Sequence, residues 1–223
     1  MLKRPTLHSL RRSRFLWLLA ALVLLLLASP FLGDSRLHEA YFIVLSALVM
    51  LSAVRIASER RLQRIFALAL AIPWLALSLW GLIWQNADPT IGASLLFSAL
   101  GLYVLVLILG RIISAAEVDF DILLGAVAAY LLIAIIWTTT YDVIHQLDPS
   151  SFSLVHGESR PYFHQFLYFS LSTLTTVGYG DITPLHPFAQ IWATLEAVVG
   201  TLYMALLVAR LVGMYHSQRV GRR

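Results

Sequence analysis

The sequence predicts an all-α membrane protein of six transmembrane helices, with a short re-entrant helix and loop between the fifth and the sixth. Three observations carry that prediction. Hydrophobic residues fill 59% of the 223 positions and charged ones 13%, with a mean hydropathy of +0.79, too apolar for a water-soluble domain. The apolar residues gather into segments of membrane-crossing length, with arginines clustered at alternate ends of them. Between the last two segments stands a polar, glycine-punctuated stretch, Thr175 to Asp181 (TTVGYGD). Non-helical backbone at membrane depth persists only where it is buried in protein or lines a water-filled path, because an unpaired carbonyl in lipid costs several kcal/mol.

Residues 1–14 hold Lys3, Arg4, Arg11, Arg12 and Arg14 without an acid, and the apolar run from Phe15 to Leu32 predicts a first span that starts in the cytoplasm. A cleaved signal peptide shares that basic start; the length of the run and the spans that follow favour a retained helix. Gly33 to Glu39 reads as an outer turn, and a second span from about Ala40 to Ile56 ends in a loop carrying Arg55, Arg60, Arg61 and Arg64. The third span, about Ile65 to Trp84, contains Pro73 as an expected kink and places Trp80 and Trp84 at the interface. After the QNADPT turn comes the fourth, about Ile91 to Ile113, whose one charge is Arg111 at the inner end, an interfacial anchor.

Residues 114–121 form an acidic connector with Glu117, Asp119 and Asp121, and Ile122 to Tyr141 is the fifth span. A polar outer loop is expected from Asp142 through Arg160. Ser159 and Pro161 then signal the start of a helix that ends near Leu174. Its fourteen or so residues reach only about 20 Å, so it enters the membrane and stops midway. The sixth span is about Phe188 to Met214. The domains are therefore a cytoplasmic N-terminus (1–14), a four-helix peripheral domain (15–113), a linker (114–121), a domain of two spans around the re-entrant helix (122–214) and a cytoplasmic tail (215–223).

Of the 16 lysines and arginines, 14 fall on the cytoplasmic side of this arrangement, and only Arg36 and Arg160 fall outside. Topology thus accounts for the net charge of +4 and for a pI near 9.6, and no nucleic-acid partner is implied. Both termini are placed in the cytoplasm of a multi-pass protein of the plasma or inner membrane. The absence of cysteine excludes disulfides, zinc–thiolate sites and thiol chemistry. No HExxH, Walker loop or nucleophile elbow is present and acids are sparse, so the chain reads as no enzyme, with no cofactor and no small-molecule substrate.

Residue for residue, TTVGYGD resembles the selectivity filter of potassium channels. The resemblance implies that the carbonyls of Thr176, Val177, Gly178 and Tyr179 coordinate K+, the permeant ion, with the Thr176 hydroxyl closing the innermost site. It implies a homotetramer, because one loop supplies too few oxygens to surround an ion. Glycine's freedom at Gly178 and Gly180 would allow an extended backbone to turn successive carbonyls to one side. Thr175, Gly180 and Asp181 support the filter, and the ring of Tyr179 points away from the axis into a cuff of Tyr162, Phe163, Phe166, Tyr168 and Phe169. The short helix becomes the pore helix, and its carbonyl end favours a cation at the midplane. Where family members carry an acid facing Asp181, this chain has Ser172, which cannot share a proton with it.

The plan is also similar to that of six-helix voltage-gated potassium channels, whose fourth helix carries an arginine at every third position. Here that helix offers almost no charge to the field, so steep voltage dependence is not expected. Gly200, nineteen residues after Asp181, stands where the family places an inner-helix glycine, and serves as a hinge or as a close-packing site. Thr201, Met204, Val208 and Val212 share a helical stripe and are candidates for cavity wall and gate. Glu196 is an isolated acid in an apolar helix; it either braces the pore helix through Ser170, Ser172 or Thr173 or draws K+ into the cavity, and bracing is the favoured role. His145, His156, His164 and His186 are expected on the outside as solvated loop residues. The function so read is a passive K+-selective channel, a homotetramer in membrane lipid. The alternatives are a weakly selective cation channel, a non-conducting modulatory subunit, and a transporter subunit, which one filter-like repeat per chain disfavours.

Overall fold

A computed structural model of the chain describes residues 14–29, 36–57, 61–83, 90–115, 119–154 and 162–220. The basic residues before Arg14, the turns containing Gly33, Arg60 and Trp84, the connector at Glu117, the cap at Ser159 and Pro161, and His156 lie outside the described residues. So do residues 221–223 and the side chains of 211–220, Val212 among them.

Among the described residues, five helices come first: α1 (Arg14–Ala28), α2 (Arg36–Ala57), α3 (Arg61–Ile83), α4 (Thr90–Ser114) and α5 (Phe120–Leu147). A 3-10 turn at Pro149–Ser151 leads into β1 (Phe152–Ser153). Then come α6 (Tyr162–Leu174), β2 (Thr183–Pro184) and α7 (Pro187–Val220). Among the described residues, four helices are long and apolar enough to cross a membrane, at Arg61–Ile83, Ile91–Ser114, Phe120–Leu147 and Pro187–Arg210. Shorter apolar helical runs lie at Phe15–Ala28 and Ile43–Ile56.

Several bounds differ from the sequence expectation. The fifth span does not give way to a loop at Asp142: α5 continues to Leu147, because the Asp142 carboxylate accepts from Gln146 Nε2 one turn on (2.7 Å) and from Ser94 Oγ of α4 (3.3 Å). His145 is therefore a buried helical residue, with its ring 4.7 Å from Tyr162 and 5.5 Å from Phe166, rather than a solvated loop histidine. His164 also lies on a helix, α6, with Nδ1 3.3 Å from Ser29 Oγ. Asp119 caps α5, its carboxylate accepting from the Ile122 N–H at 2.8 Å. At the other ends, α2 already starts at Arg36, α3 runs unbroken through Pro73, and α7 continues past Met214.

At the centre stands α5, and small residues at its contacts with α1 and α4 explain why. Gly125 lies under the Phe15 ring of α1, where a Cβ would meet Cδ2 at 3.0 Å. Against α4, a Cβ on Gly101 would meet Ile136 Cγ1 at 3.0 Å. In a membrane, where lipid is as apolar as leucine, such close van der Waals approach and interhelical hydrogen bonds hold helices together. Ser94 to Asp142 and Ser98 to Thr139 (2.5 Å) add a polar seam between α4 and α5. Arg111 closes the other end of α4: it donates to the Ile56 carbonyl of α2 (3.3 Å) and sits 5.7 Å over the Phe15 ring.

A second stripe on α5, at Ala126, Tyr130, Ala134, Trp137 and Tyr141, faces α6 and α7. The Tyr203 hydroxyl donates to the Ala126 carbonyl (2.6 Å) and that of Tyr130 to Leu174 (3.2 Å). Ser170 reaches Ala134 (2.8 Å), Trp137 stacks on Trp192, and Tyr141 meets Glu196. On α7 the partners fall at 192, 196, 200 and 203, again one helical face. Above this stripe β1 pairs antiparallel with β2, Phe152 opposite Pro184 and Ser153 opposite Thr183, so the chain before α6 straps the chain after the loop.

Candidate functional site

The TTVGYGD stretch begins where α6 ends and runs exposed to Asp181. Four successive N–H groups turn back onto the carbonyl end of α6. Thr175 donates to Leu171 (3.1 Å), Thr176 to Thr173 (3.0 Å), and Val177 and Gly178 both to Ser172 (2.8 and 3.2 Å). Orphan carbonyls of the helix terminus are thereby satisfied, and the loop is pinned with its donors inward. Among the described residues, none donates to the carbonyls of Thr176, Val177, Gly178 or Tyr179.

The backbone here is not a strand. Thr176, Gly178 and Gly180 take φ of +60, +57 and +80°, while Val177 and Tyr179 between them do not have positive φ. In a strand, successive residues alternate sides. Reversing the handedness at every second residue brings successive carbonyls towards a common side, opposite the N–H groups. Two of the three reversals fall on glycine, for which the left-handed region is free of strain. The third falls on a β-branched residue, an outlier that the sequence did not announce.

Around the loop the remaining residues divide. Tyr179 is 70% exposed and stacks on Tyr168 at 5.7 Å and 10°; the Tyr168 hydroxyl faces Asp181. Asp181 also accepts from the Ile182 N–H (3.0 Å). The Ser172 hydroxyl is not brought to Asp181; it donates to the Phe169 carbonyl (2.9 Å), and Ser172 holds the loop through its main-chain oxygen instead. Phe166 and Phe169 are buried in an aromatic cluster with Tyr141 and Phe152 rather than around Tyr179. Outside the membrane-length helices, the Asp148 carboxylate caps the 3-10 turn before β1, and its bonds from the Ser150 hydroxyl and N–H hold its pKa below the usual carboxylate value.

Glu196 is fully buried on α7, with Tyr141 Oη 2.5 Å from Oε2 and Ser170 Oγ 2.5 Å from Oε1. Tyr141 is a partner that sequence reasoning missed, as is Tyr130; Tyr168 was among the aromatics expected around Tyr179. The signal was present in the spacing of Tyr130, Trp137 and Tyr141 on one face of α5 opposite Trp192, Glu196, Gly200 and Tyr203 on α7. Gly200 is packed against the end of α6. Thr201, Met204 and Val208 are exposed on α7, the Thr201 hydroxyl bonding back to Ala197 (2.7 Å).

This arrangement defines a helical membrane protein that carries an ion-channel domain: a family model described as "Ion channel" matches residues 126–216, from α5 through α7. Over 57 residues, 25% of this chain and 11% of the relative, the chain is 42% identical to the potassium voltage-gated channel protein shk-1 of Caenorhabditis elegans. Over 90 residues, 40% of this chain and 27% of the relative, it is 29% identical to the inward rectifier potassium channel Kirbac3.1 of Paramagnetospirillum magnetotacticum. No solved structure matches significantly. Over residues 126–216 the chain is similar to ion channels and over parts of its length to potassium channels, and these likenesses are to channels rather than to an enzyme. It spans about a tenth of the first relative's length and about a quarter of the second's.

Proposed function

We propose that this chain forms a passive, potassium-selective channel as a homotetramer in the cell membrane. The observation that carries the reading is the polarity of the loop: its N–H groups from Thr175 to Gly178 are spent on α6, and the carbonyls of Thr176, Val177, Gly178 and Tyr179 accept from no described residue. Four such loops about an axis form stacked oxygen rings that replace the water shell of K+. In this reading all of α1 to α5 and α7 lie in the membrane, α1 to α5 and α7 as the six spans and α6 re-entering from outside, with both termini cytoplasmic. The exposed Thr201, Met204 and Val208, with Val212, wall the cavity, and Gly200 sets the packing of α7 on α6.

Purified full-length chain reconstituted in phospholipid vesicles tests the proposal. A reversal potential that follows the K+ gradient when sodium opposes it is the expected result, from a particle of four chains. Equal permeation of sodium, a monomer in lipid, or conduction only with a second channel protein present would each overturn it.

A further inference from the structure

Glu196 has 0% of its surface exposed, in the wall where α5, α6 and α7 meet. Among the described residues no lysine or arginine lies against it, and the titratable groups that face it are the Tyr141 and Tyr130 phenols of α5. Three oxygen–oxygen contacts run in series through it. Tyr141 Oη is 2.5 Å from Glu196 Oε2, Glu196 Oε1 is 2.5 Å from Ser170 Oγ, and Ser170 Oγ is 2.8 Å from the carbonyl oxygen of Ala134. Each such contact needs a proton between its oxygens.

Two hydroxyls supply two protons, and a carbonyl supplies none. Thr138 Oγ1 reaches the same Ala134 carbonyl at 2.8 Å, and neither hydroxyl can turn lone pairs towards it. The Ser170 proton therefore points at Ala134, and the Tyr141 proton at Oε2. That leaves Ser170 Oγ and Glu196 Oε1 facing each other at 2.5 Å with only lone pairs, which repel. An ionised carboxylate would also stand buried without a cation.

We propose that Glu196 is held as a neutral carboxylic acid that donates its proton to Ser170 Oγ. The hydrogen bonds then all run one way, from Tyr141 through Glu196 and Ser170 to Ala134, and each polarises the next. They fix α6 between α5 and α7 four residues before the helix ends. Glu196 is thus a positioning residue for the TTVGYGD loop and contributes no negative charge to an ion pathway.

The full chain in phospholipid vesicles tests this three ways. Infrared spectra at neutral pH should show the carbonyl stretch of an un-ionised carboxylic acid that shifts with 13C-glutamate and is missing from Glu196→Gln. Glutamine can donate to Ser170 and accept from Tyr141 as a protonated acid does, so Glu196→Gln should keep the melting temperature and hold K+ flux within about twofold, whereas Glu196→Ala should lose at least about tenfold in flux and melt lower. Absence of the band, or a Glu196→Gln protein as impaired as Glu196→Ala, overturns the neutral acid. A Glu196→Ala protein indistinguishable from wild type overturns the positioning role. Only the flux measurement rests on the channel reading: wild-type vesicles without flux would reject that reading, while the band and the melting comparison would still decide the proton.

Discussion

Gly200 of α7 lies so close to Leu174, the last residue of α6, that a Cβ there would collide with the Leu174 carbonyl oxygen and stand 2.9 Å from its Cδ1. The same oxygen accepts from the Tyr130 hydroxyl at 3.2 Å. The base of the TTVGYGD loop is thus held at a fixed depth by two other helices, and the glycine is first of all a packing residue.

Gly200→Ala should therefore cost about 1–3 kcal/mol, because backbone rather than a flexible side chain must move. Gly110→Ala on α4 is the comparison: nothing lies within 4 Å of the added carbon, and a helical glycine replaced by alanine gains up to about 1 kcal/mol. Thermal unfolding in detergent should move the two variants in opposite directions, and a Gly200→Ala protein as stable as wild type would refute the contact.

Substitutions in the loop should also split by sign. An L-residue in the left-handed region costs roughly 1–2 kcal/mol. Gly178→Ala incurs that cost at a φ of +57° although its Cβ meets no atom within 4 Å, and Thr176→Gly relieves it at +60°. Melting should fall for the first and rise for the second, while both lose discrimination between K+ and Na+ in vesicle flux. Melting shifts of the same sign would contradict the alternating backbone.

Arg210 of α7 donates from Nη2 to the carbonyls of Ile113 (2.6 Å) and Ala115 (3.0 Å), at the end of α4. Two charge-assisted bonds tie α7 to the end of α4. Arg210→Ala should remove about 1 kcal/mol of that coupling, a factor of about five in an open–closed equilibrium. Single-channel open probability in bilayers measures it, and unchanged gating together with unchanged melting would exclude the tie.

The field has little to act on in α4. Its one charge, Arg111, is already bound to the Ile56 carbonyl at the helix end. Each elementary charge moved across the membrane couples about 2.3 kcal/mol per 100 mV, so conductance should change by less than about tenfold over 100 mV. A steeper conductance–voltage curve would show that other charges move.

Legibility followed distance along the chain. The long apolar helices, the arginine loops and the break at Thr175–Asp181 were readable because each depends on a run of neighbouring residues. Gly178 and Gly180 announced positive φ by being glycine. Thr176 did not, since its conformation comes from donation to Thr173 at the end of α6 and runs against its own preference. Likewise α5 outlasts Asp142 only because Ser94, 48 residues earlier, and Gln146 accompany the carboxylate. The two-residue strands β1 and β2 carry no periodic signal at all.

By itself the sequence determined which segments are apolar helices, which ends carry the positive charge, and which seven residues cannot be helix. Tertiary structure alone decided that Glu196 meets Tyr141, 55 residues away, and Ser170, that Ser172 serves the loop by its carbonyl, and that Gly200 touches Leu174. The physical reason is range. Hydropathy and backbone preference act within a turn or two, whereas the choice among several equally suitable hydroxyls for one buried carboxyl depends on how three helices are brought together.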